Sequence, residues 1–236
     1  MHAPLATGEL PVGAEKTRRV REMFDSIAPR YVLVNRLITF GLDARWRART
    51  VRALGLPPGS VVLDVATGTG ELSSVAKRAG FEALGFDLSL GMLAAADAGF
   101  PTAQCDAAYL PVATGAADGV VCGFALRNFT ERADCLVEMA RVLRPGGRLA
   151  LLEVGAPERA MTRRGFDVWF NNVVPLVGGA VSDKEAYRYL PRSVAYLPTP
   201  EGLRDELCDA GFSSVNRHLL SGGLSQLVVA TRRGRP

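Results

Sequence analysis

A buried strand that runs directly into a glycine-rich turn and a helix constrains the fold of this chain more than any other feature. Residues 60–66 are mostly apolar, Gly68 and Gly70 follow at once, and helix-forming residues come next. The same succession of apolar strands and helical segments then repeats through residues 82–154. Because a parallel strand needs a crossover connection to reach its neighbour, this alternation predicts an α/β domain built on a mostly parallel sheet.

The apolar periodicity places the remaining elements. Helices are expected where apolar residues recur every three or four positions, and strands where short apolar runs are bounded by turn residues. Helices are predicted for residues 15–28, 43–54, 90–98, 131–143 and 199–210. Strands are predicted for residues 60–66, 82–86, 102–105, 119–126, 148–154, 214–219 and 225–231. The last two strands are expected to form a closing β pair around Ser221–Gly223.

Length and composition fit one large globular unit with an N-terminal extension. The chain has 236 residues, of which 48% are hydrophobic and 22% are charged, as in ordinary folded domains. Residues 1–14 lack periodicity and are expected to form a flexible tail. Residues 15–55 are expected to form a helical lid through which substrate enters. Residues 56–236 are expected to form the ligand-binding domain, with a helical insertion at about 157–198.

The positive charge is concentrated near the N-terminus. The formal charge is +4, and residues 16–52 contain a large excess of Lys and Arg over Asp and Glu. Aromatic side chains such as Phe40 and Trp46 are interleaved with these cations. The stretch fits either peripheral contact with an anionic membrane or an ordinary solvated lid. No nucleic-acid partner is expected, because the rest of the chain is nearly neutral.

The cysteine and histidine content limits the chemistry. The four cysteines show no paired spacing, and no signal peptide or membrane span is apparent, so a cytoplasmic protein with free thiols is expected. The two histidines, His2 and His218, argue against a His-rich metal site and a Ser-His-Asp nucleophile, and no metal is expected. The sequence leaves open a homodimer and a peripheral position at the membrane.

The turn after the first predicted strand is the strongest functional signal. Glycines at 68 and 70 let the backbone approach a ligand closely, yet Ser73 stands where a dinucleotide-binding turn has its third glycine. Asp64 precedes the glycines, and no phosphate-binding lysine follows them. These features argue against a nicotinamide oxidoreductase. They favour a cationic adenosyl cofactor, a description that fits S-adenosylmethionine.

Two further strand ends extend this site. Asp87 ends the second strand, where a carboxylate can accept both ribose hydroxyl protons. Asp106 and Ala107 follow the third strand and are expected to read the adenine edge, while Met92 is expected to pack on its ring. Taken alone, Asp87 also fits a helix cap and Met92 an ordinary core residue. Their order along one edge of the sheet joins them into a single predicted site.

Seven segments carry a wider pattern: residues 23–28, 41–47, 64–72, 85–93, 125–130, 141–148 and 187–193. In them the chain resembles the ubiquinone/menaquinone-biosynthesis C-methyltransferases, a family of class I S-adenosylmethionine-dependent methyltransferases, over roughly residues 16–220. The glycine loop and the Arg-Pro-Gly-Gly turn are shared by class I methyltransferases generally. The Leu-Arg-Asn-Phe and Tyr-Arg-Tyr-Leu segments are much more specific to the quinone enzymes than these shared motifs.

The resemblance implies a class I methyltransferase fold with a Rossmann-like, seven-stranded, mostly parallel sheet. The last strand is antiparallel, helices cover both faces, and an N-terminal helical lid is present. It also implies S-adenosylmethionine as cofactor and methyl transfer to a ring carbon of a reduced polyprenyl quinone, as from demethylmenaquinol to menaquinol. The implied cofactor contacts are Thr69, Asp87, Asp106, Ala107 and Gly123, which join Asp64, Gly68, Gly70 and Met92 from the sequence pattern.

Methylation of a hydroquinone carbon requires a group that handles the phenol proton and the ring proton. Arg127 and Asn128 follow the fourth predicted strand, where a guanidinium can stabilise a phenolate or hold a proton-relaying water. The alternatives are a structural salt bridge for Arg127 and a turn or helix cap for Asn128. Tyr31 is a third catalytic candidate, expected to grip the ring.

The chain departs from the family pattern at two places, both expected near the entrance of the active site. Val32 stands where the family has an aspartate after the tyrosine, and Leu227–Ala230 replaces a segment that contains a Leu-His pair. These departures keep open C- or O-methylation of another aromatic, polyketide or prenylated acceptor. A non-catalytic module that only binds the cofactor is the other function class left open.

Overall fold

Seven strands form one sheet in a computed structural model that describes residues 12–96, 99–155, 157, 169–181 and 184–234. The strands are β1 Val61–Val65, β2 Glu82–Asp87, β3 Thr102–Gln104, β4 Ala117–Gly123, β5 Leu143–Val154, β6 Phe212–Leu220 and β7 Ser225–Arg232. Their order across the sheet is β3-β2-β1-β4-β5-β7-β6. The last strand, β7, runs antiparallel to both of its neighbours, whereas β1 to β5 pair in parallel. This confirms the predicted mostly parallel sheet and its closing β pair.

Helices connect the strands and form the N-terminal region. They are α1 Gly13–Ile27, α2 Tyr31–Ile38, α3 Leu42–Ala53, α4 Glu71–Arg78, α5 Leu90–Ala94, α6 Arg132–Val142, α7 Val174–Val181, α8 Lys184–Ser193 and α9 Pro200–Asp209. Helices α6 and α9 pack in the core on one face of the sheet, and α3 and α4 pack on the other. A third apolar cluster joins α1, α2, α5 and α8.

The central strands are mostly apolar because both of their faces are covered; the buried Asp64 near the end of β1 is an exception. Val62 and Val121 pack with α3 and α4, whereas their chain neighbours Leu63 and Val120 pack with α6 and α9. Successive side chains of a strand point to opposite faces, so a strand between two helical layers needs apolar residues at every position. This is why β1 and β4 were recognisable as short continuous apolar runs.

The N-terminal region contains one helix more than predicted. Helix α1 begins at Gly13 rather than at residue 15, and residues 1–11 of the expected tail lie outside the described residues. Pro29 ends α1 as predicted, but it sits in a short 3-10 turn, Ala28–Arg30, that leads straight into α2. Proline is tolerated in a first helical turn, where its missing N–H costs nothing. The proline therefore marks a bend between two helices and not the end of the helical segment.

Three other predicted boundaries were wrong. Strand β4 ends at Gly123 rather than at 126, because Phe124 adopts a left-handed backbone and Leu126–Asn128 then form a 3-10 turn. Helix α5 ends at Ala94 rather than at 98, and residues 97–98 lie outside the described residues. Strand β5 begins at Leu143, which pairs with β4, five residues before the predicted start. In the predicted insertion, residues 169–181 and 184–196 are helical, and the neighbouring gaps are not described.

Candidate active site

The carboxyl ends of β1 and β4 lie side by side in the middle of the sheet, where the chain leaves in opposite directions. Such switch points are the usual ligand sites of open α/β sheets. Directly after each strand a non-glycine residue has a left-handed backbone: Ala66 with φ 58° and Phe124 with φ 59°. This conformation costs roughly 1–3 kcal/mol per residue and persists mainly at functional sites. Alanine and phenylalanine rarely adopt this conformation, so the sequence did not predict it at either position.

A cavity of about 320 Å³ lies over these strand ends, and we call it the loop cavity. Ala66 and Phe124 both line it. Most of the predicted cofactor-binding residues also line it, although they come from separate parts of the chain. These residues are Gly68, Asp87, Met92, Asp106, Ala107 and Gly123. The structure therefore brings together the strand ends that sequence order had joined into one site.

The other three predicted cofactor residues, Asp64, Thr69 and Gly70, are not among the residues that line the loop cavity; they shape the glycine loop instead. Thr69 is buried and donates to Glu71 Oε1 at 2.6 Å. Gly70 has φ +83°, and a Cβ at this position would lie 2.3 Å from the ring of Phe100. A side chain at position 70 would therefore displace both the loop and the start of α4. Asp64 lies in the interior of the loop.

Ser73 is the residue that organises the loop in place of a third glycine. Its backbone N and its Oγ donate to Oδ2 of Asp64 at 2.9 and 2.8 Å, and Thr67 Oγ1 donates to the same oxygen at 2.7 Å. These bonds close the turn around one carboxylate oxygen. In the sequence, Ser73 served only as evidence against a dinucleotide-binding turn. In the structure it stabilises the glycine loop through its bonds to Asp64.

The second carboxylate oxygen of Asp64 is a feature that fits a cationic ligand. Asp64 is only 1% exposed, and its Oδ1 has no hydrogen-bond partner among the described residues. Burial raises the pKa of Asp64 to about 6, although the bonds from Thr67 and Ser73 oppose the shift. A buried carboxylate with one unsatisfied oxygen is stabilised by a positive charge nearby. A sulfonium and ammonium group above the loop would supply that charge.

Asp87 offers its carboxylate to the loop cavity from the end of β2. Its Oδ2 accepts from the backbone N of Gly68 at 2.8 Å, and its Oδ1 accepts from that of Ser89 at 2.8 Å. Burial raises the pKa of Asp87, and these bonds oppose the shift. The helix-cap alternative for Asp87 was wrong, because Ser89 Oγ caps α5 by accepting from Met92 N at 3.0 Å. Asp87 thus ties β2 to the glycine loop.

A second cavity of about 340 Å³ lies beside the first, and we call it the lid cavity. Its walls are mostly apolar and come largely from the N-terminal helices and from the segment before β6. Typical wall residues are Ile27, Ile38, Trp46, Trp169, Val174 and Leu190. The two cavities share three lining residues, Phe24, Tyr31 and Phe124. The loop cavity, which contains the carboxylates of Asp87 and Asp106, and the more apolar lid cavity therefore meet at a small aromatic boundary.

Arg127 lines the lid cavity and also forms the salt bridge that was its structural alternative. It is 4% exposed; its Nη1 pairs with Glu153 and donates to the carbonyl of Phe124 at 2.8 Å. Its Nε donates to Ser193 Oγ at 3.1 Å. These bonds fix the guanidinium plane beside the cavity. The structural alternative for Arg127 is therefore present, and its catalytic role stays a prediction.

Asn128 and Tyr31 are the other two catalytic candidates. Asn128 lines the loop cavity, and its Oδ1 accepts from the hydroxyl of Tyr189 at 3.2 Å. Tyr31 lines both cavities, and burial raises the pKa of its phenol, so the hydroxyl is neutral at pH 7. Tyr31 therefore belongs to the aromatic boundary, while Arg127 lines the lid cavity and Asn128 lines the loop cavity.

The lid cavity is also lined by a buried charged pair that the sequence analysis did not predict. Asp43 and Arg47, one turn apart on α3, form an ion pair whose side chains are each about one-tenth exposed. Thr39 Oγ1 donates to Asp43 Oδ1 at 2.9 Å. The i, i+4 spacing of an acid and a base on one predicted helix was a signal for the pair, but not for its burial against a cavity.

The two departures from the family pattern occupy different surroundings, and their expected place near the active-site entrance stays a prediction; Val32 directly follows Tyr31, which lines both cavities. Val32 is half-exposed on α2. Leu227–Ala230 is buried inside β7, between the two neighbouring strands. Neither is among the described residues that line either cavity.

The described residues contain neither a metal-binding cluster nor a helix that could span a membrane. In the described ranges, no three or more His, Cys, Asp or Glu side chains gather in a way that would hold a metal ion. No helix in that part of the chain has the length and apolarity needed to cross a bilayer.

Comparison with known proteins identifies relatives over nearly the whole chain. The model of the ubiE/COQ5 methyltransferase family matches residues 12–232. The ubiquinone/menaquinone biosynthesis C-methyltransferase UbiE of Syntrophotalea carbinolica is 39% identical over 221 residues, covering 90% of this chain and 93% of that protein. The demethylmenaquinone methyltransferase of Thermus thermophilus is 41% identical over 220 residues, covering 89% and 100%.

A solved structure supports the fold independently. The crystal structure of a SAM-dependent methyltransferase from Thermotoga maritima superposes with a TM-score of 0.65 at 18% sequence identity. The match covers 90% of this chain and 99% of that chain. The class I methyltransferase architecture predicted from the sequence is therefore confirmed.

Proposed function

Because this chain belongs to the ubiE/COQ5 methyltransferase family and is an S-adenosylmethionine-dependent methyltransferase, we propose that it methylates a ring carbon of a reduced polyprenyl quinone, converting demethylmenaquinol to menaquinol. The observation that carries the proposal is the junction of a cavity over the glycine loop, lined by Asp87 and Asp106, with a more apolar cavity of similar size. One cavity suits a charged nucleoside, and the other suits an apolar ring with an isoprenoid tail.

We assign the loop cavity to the cofactor. Asp87 would accept from the ribose hydroxyls, while Asp106 and Ala107 would face the adenine. Met92 is buried at the cavity wall, where it can pack on a flat ring. Asp64 supplies the negative charge beneath the loop. When bound there, S-adenosylmethionine supplies an electrophilic methyl group.

We assign the lid cavity to the acceptor ring. Methyl transfer is an in-line displacement, so the chain's main tasks are to orient the ring carbon and to exclude water. The aromatic boundary of Phe24, Tyr31 and Phe124 faces both cavities and would set that orientation. The tryptophan and aliphatic side chains of the lid cavity would keep the ring dry.

Arg127 would stabilise the phenolate that makes the ring carbon nucleophilic. Its charge is held in place by Glu153 and Ser193, so no reorganisation is needed when negative charge develops on the ring oxygen. A guanidinium is a poor base because its pKa exceeds about 12. The ring proton would therefore leave through a water held near Arg127 or Asn128, and the neutral hydroxyl of Tyr31 would donate to a ring oxygen.

The lid cavity also provides a basis for peripheral membrane contact, as the sequence had left open. Leu33 and Leu37 lie one turn apart on α2 and are half-exposed, while Phe40 and Leu176 are 73% exposed. Phe40 itself lines the lid cavity. An apolar rim at the mouth of this cavity would let a long isoprenoid tail pass from the bilayer without crossing water. Flotation with anionic and neutral vesicles measures this contact.

A homodimer stays a separate prediction, which sedimentation velocity measures.

The deciding experiment is an assay with methyl-labelled S-adenosylmethionine and a chemically reduced demethylmenaquinone analogue, with the product analysed by mass spectrometry and NMR. We expect a new methyl group on a ring carbon, and no product from the oxidised quinone, whose ring lacks the phenol. Transfer to oxygen, or transfer only to a simple phenol or a polyketide, would contradict the proposed acceptor. Cofactor binding without transfer to any acceptor would leave the binding-module alternative.

A further inference from the structure

Helix α1 forms the roof of the loop cavity. One face of the helix lines this cavity, through Ala14, Thr17, Val20 and Phe24. These positions recur at the three- to four-residue spacing of a helical face. The helix therefore lies across the cavity along most of its length, and both of its ends contact loops that follow strands of the sheet.

The first end is anchored by a buried lysine. Lys16 is 5% exposed; its Nζ donates to the carbonyl of Phe129 at 2.8 Å and lies 3.8 Å from the ring centroid of Tyr196. The Oγ1 atoms of Thr17 and Thr130 are 2.7 Å apart and share a hydrogen bond. Phe129 directly follows Asn128, so this anchor attaches α1 to the segment that carries two of the catalytic candidates.

The second end is anchored by an aspartate. Asp25 Oδ1 accepts from the buried Ser89 Oγ at 2.5 Å and from the backbone N of Gly91 at 2.9 Å. A Cβ on Gly91 would lie 3.0 Å from the Cα of Asp25, so the absence of a side chain permits this approach. The backbone N of Ser89 in turn donates to Asp87. This anchor attaches α1 to the carboxylate assigned to the cofactor ribose.

We propose that Lys16 and Asp25 are positioning residues that strap α1 over the bound cofactor, so that release of the cofactor requires one of the two anchors to break. The inference rests on the assignment of the loop cavity to the cofactor. Each anchor connects α1 to one side of the site: Asp25 to the ribose side and Lys16 to the catalytic side. Because Phe24 lies on α1 and lines both cavities, the strap also holds part of the aromatic boundary in register.

The test compares the full chain with Lys16→Met, Asp25→Ala and the double variant. Cofactor binding is followed with S-adenosylhomocysteine by calorimetry and by its dissociation rate in stopped flow. We expect about fivefold faster dissociation for each single variant and a larger effect for the double variant, as for the loss of one or two hydrogen-bonded contacts. The KM for S-adenosylmethionine should rise by a similar factor, and any fall in kcat at saturation should be smaller than that rise, because, of the strap residues, only Phe24 lies at the junction of the two cavities.

Two matched variants separate anchoring from general damage. Asp25→Asn keeps an oxygen that accepts from Ser89 and Gly91, and it should restore dissociation to within about twofold of the natural protein. Glu22→Ala removes a carboxylate on the same helix that pairs only with Arg18 at the surface, and it should have no effect. Dissociation from Asp25→Ala as slow as from Glu22→Ala would overturn the proposal.

Hydrogen exchange of the natural protein keeps the proposal falsifiable if a variant fails to fold. Amides of α1 should exchange more slowly when S-adenosylhomocysteine is bound, because opening the strap becomes coupled to ligand release. Unchanged exchange in α1 despite binding would overturn the strap while leaving the proposed function intact. Failure of the natural protein to bind S-adenosylhomocysteine would overturn the proposed function, and the strap with it.

Discussion

The rings of Phe24 and Tyr31 meet edge to face, with centroids 6.0 Å apart, and both residues line the loop cavity and the lid cavity. The two assigned ligand sites therefore meet at these aromatic side chains, which would place the methyl donor and the ring carbon next to each other. This arrangement supplies the proximity on which a displacement reaction depends.

Removing the hydroxyl of Tyr31 tests its role at this boundary. Tyr31→Phe should lower kcat by about tenfold, since the ring oxygen of the acceptor loses a hydrogen-bond donor, and should leave the Kd for cofactor unchanged. Steady-state kinetics and calorimetry measure the two effects. Tyr109→Phe is the matched control, because Tyr109 lines only the loop cavity and is 78% exposed. Equal loss of activity in the two variants would contradict the assigned role.

Variants of the ion pair between Arg127 and Glu153 can separate the contribution of Arg127 to protein stability from its role in methyl transfer. Arg127→Met leaves the buried Glu153 unpaired and should cost about 3–5 kcal/mol of unfolding free energy, measured in urea. Adding Glu153→Gln removes the charge but keeps an acceptor for the N–H of Val154, and should recover at least about 2 kcal/mol of that loss. The double variant should fold and bind cofactor yet fail to transfer methyl. Normal turnover in this variant would assign Arg127 a purely structural role.

The raised pKa of Asp64 predicts how cofactor affinity depends on pH. With a pKa of about 6, the carboxylate is mostly ionised at pH 7 and mostly protonated at pH 5. If the ionised form holds the cationic cofactor, the Kd should rise about tenfold between these two pH values. In the ligand-free protein the sign is opposite, because a raised carboxyl pKa contributes stability below about pH 4 that is lost as pH rises through 6. Asp64→Asn should flatten the binding profile; an unchanged profile would contradict the assignment.

The ribose assignment is tested at the end of β2. Asp87→Ala should weaken cofactor binding by on the order of tenfold to a hundredfold, because it removes the acceptor for the ribose and also releases Gly68 N and Ser89 N. Glu82→Ala, at the opposite and exposed end of the same strand, should bind cofactor normally. Comparable affinities for the two variants, measured by calorimetry, would place the ribose elsewhere.

The sheet was predictable because its signals are local. Most residues of β1 and β4 are apolar at successive positions, and glycines follow soon after β1. The strands, the turn and the crossover connection could therefore be predicted from the sequence. Helix α2 was not, since half of its apolar residues face outward and Pro29 gave a signal that a helix ends. Short helices stabilised by tertiary contacts carry weak signals of their own.

The site was predictable only where it follows strand ends. Asp87 and Asp106 were predicted because parallel strands end at one edge of the sheet, whereas Gly123 was implied only by the family resemblance. The left-handed backbone of Ala66 and the contact between Asp25 and Ser89 were not found, since each depends on residues brought together by folding. The carboxylate of Asp64 was expected beside the cofactor, whereas its place beneath the loop follows from hydrogen bonds that spacing does not reveal.

The two cavities are built from different parts of the chain, and this difference has an evolutionary consequence. Most of the lid cavity is built from α1, α2, α3, α7 and α8, and few of its lining residues come from the sheet. Mutations or insertions in α3, α7 and α8, which supply no residue to the loop cavity, can therefore reshape acceptor choice while the strand ends assigned to the methyl donor stay intact. A library confined to these three helices should yield new acceptors without loss of cofactor binding.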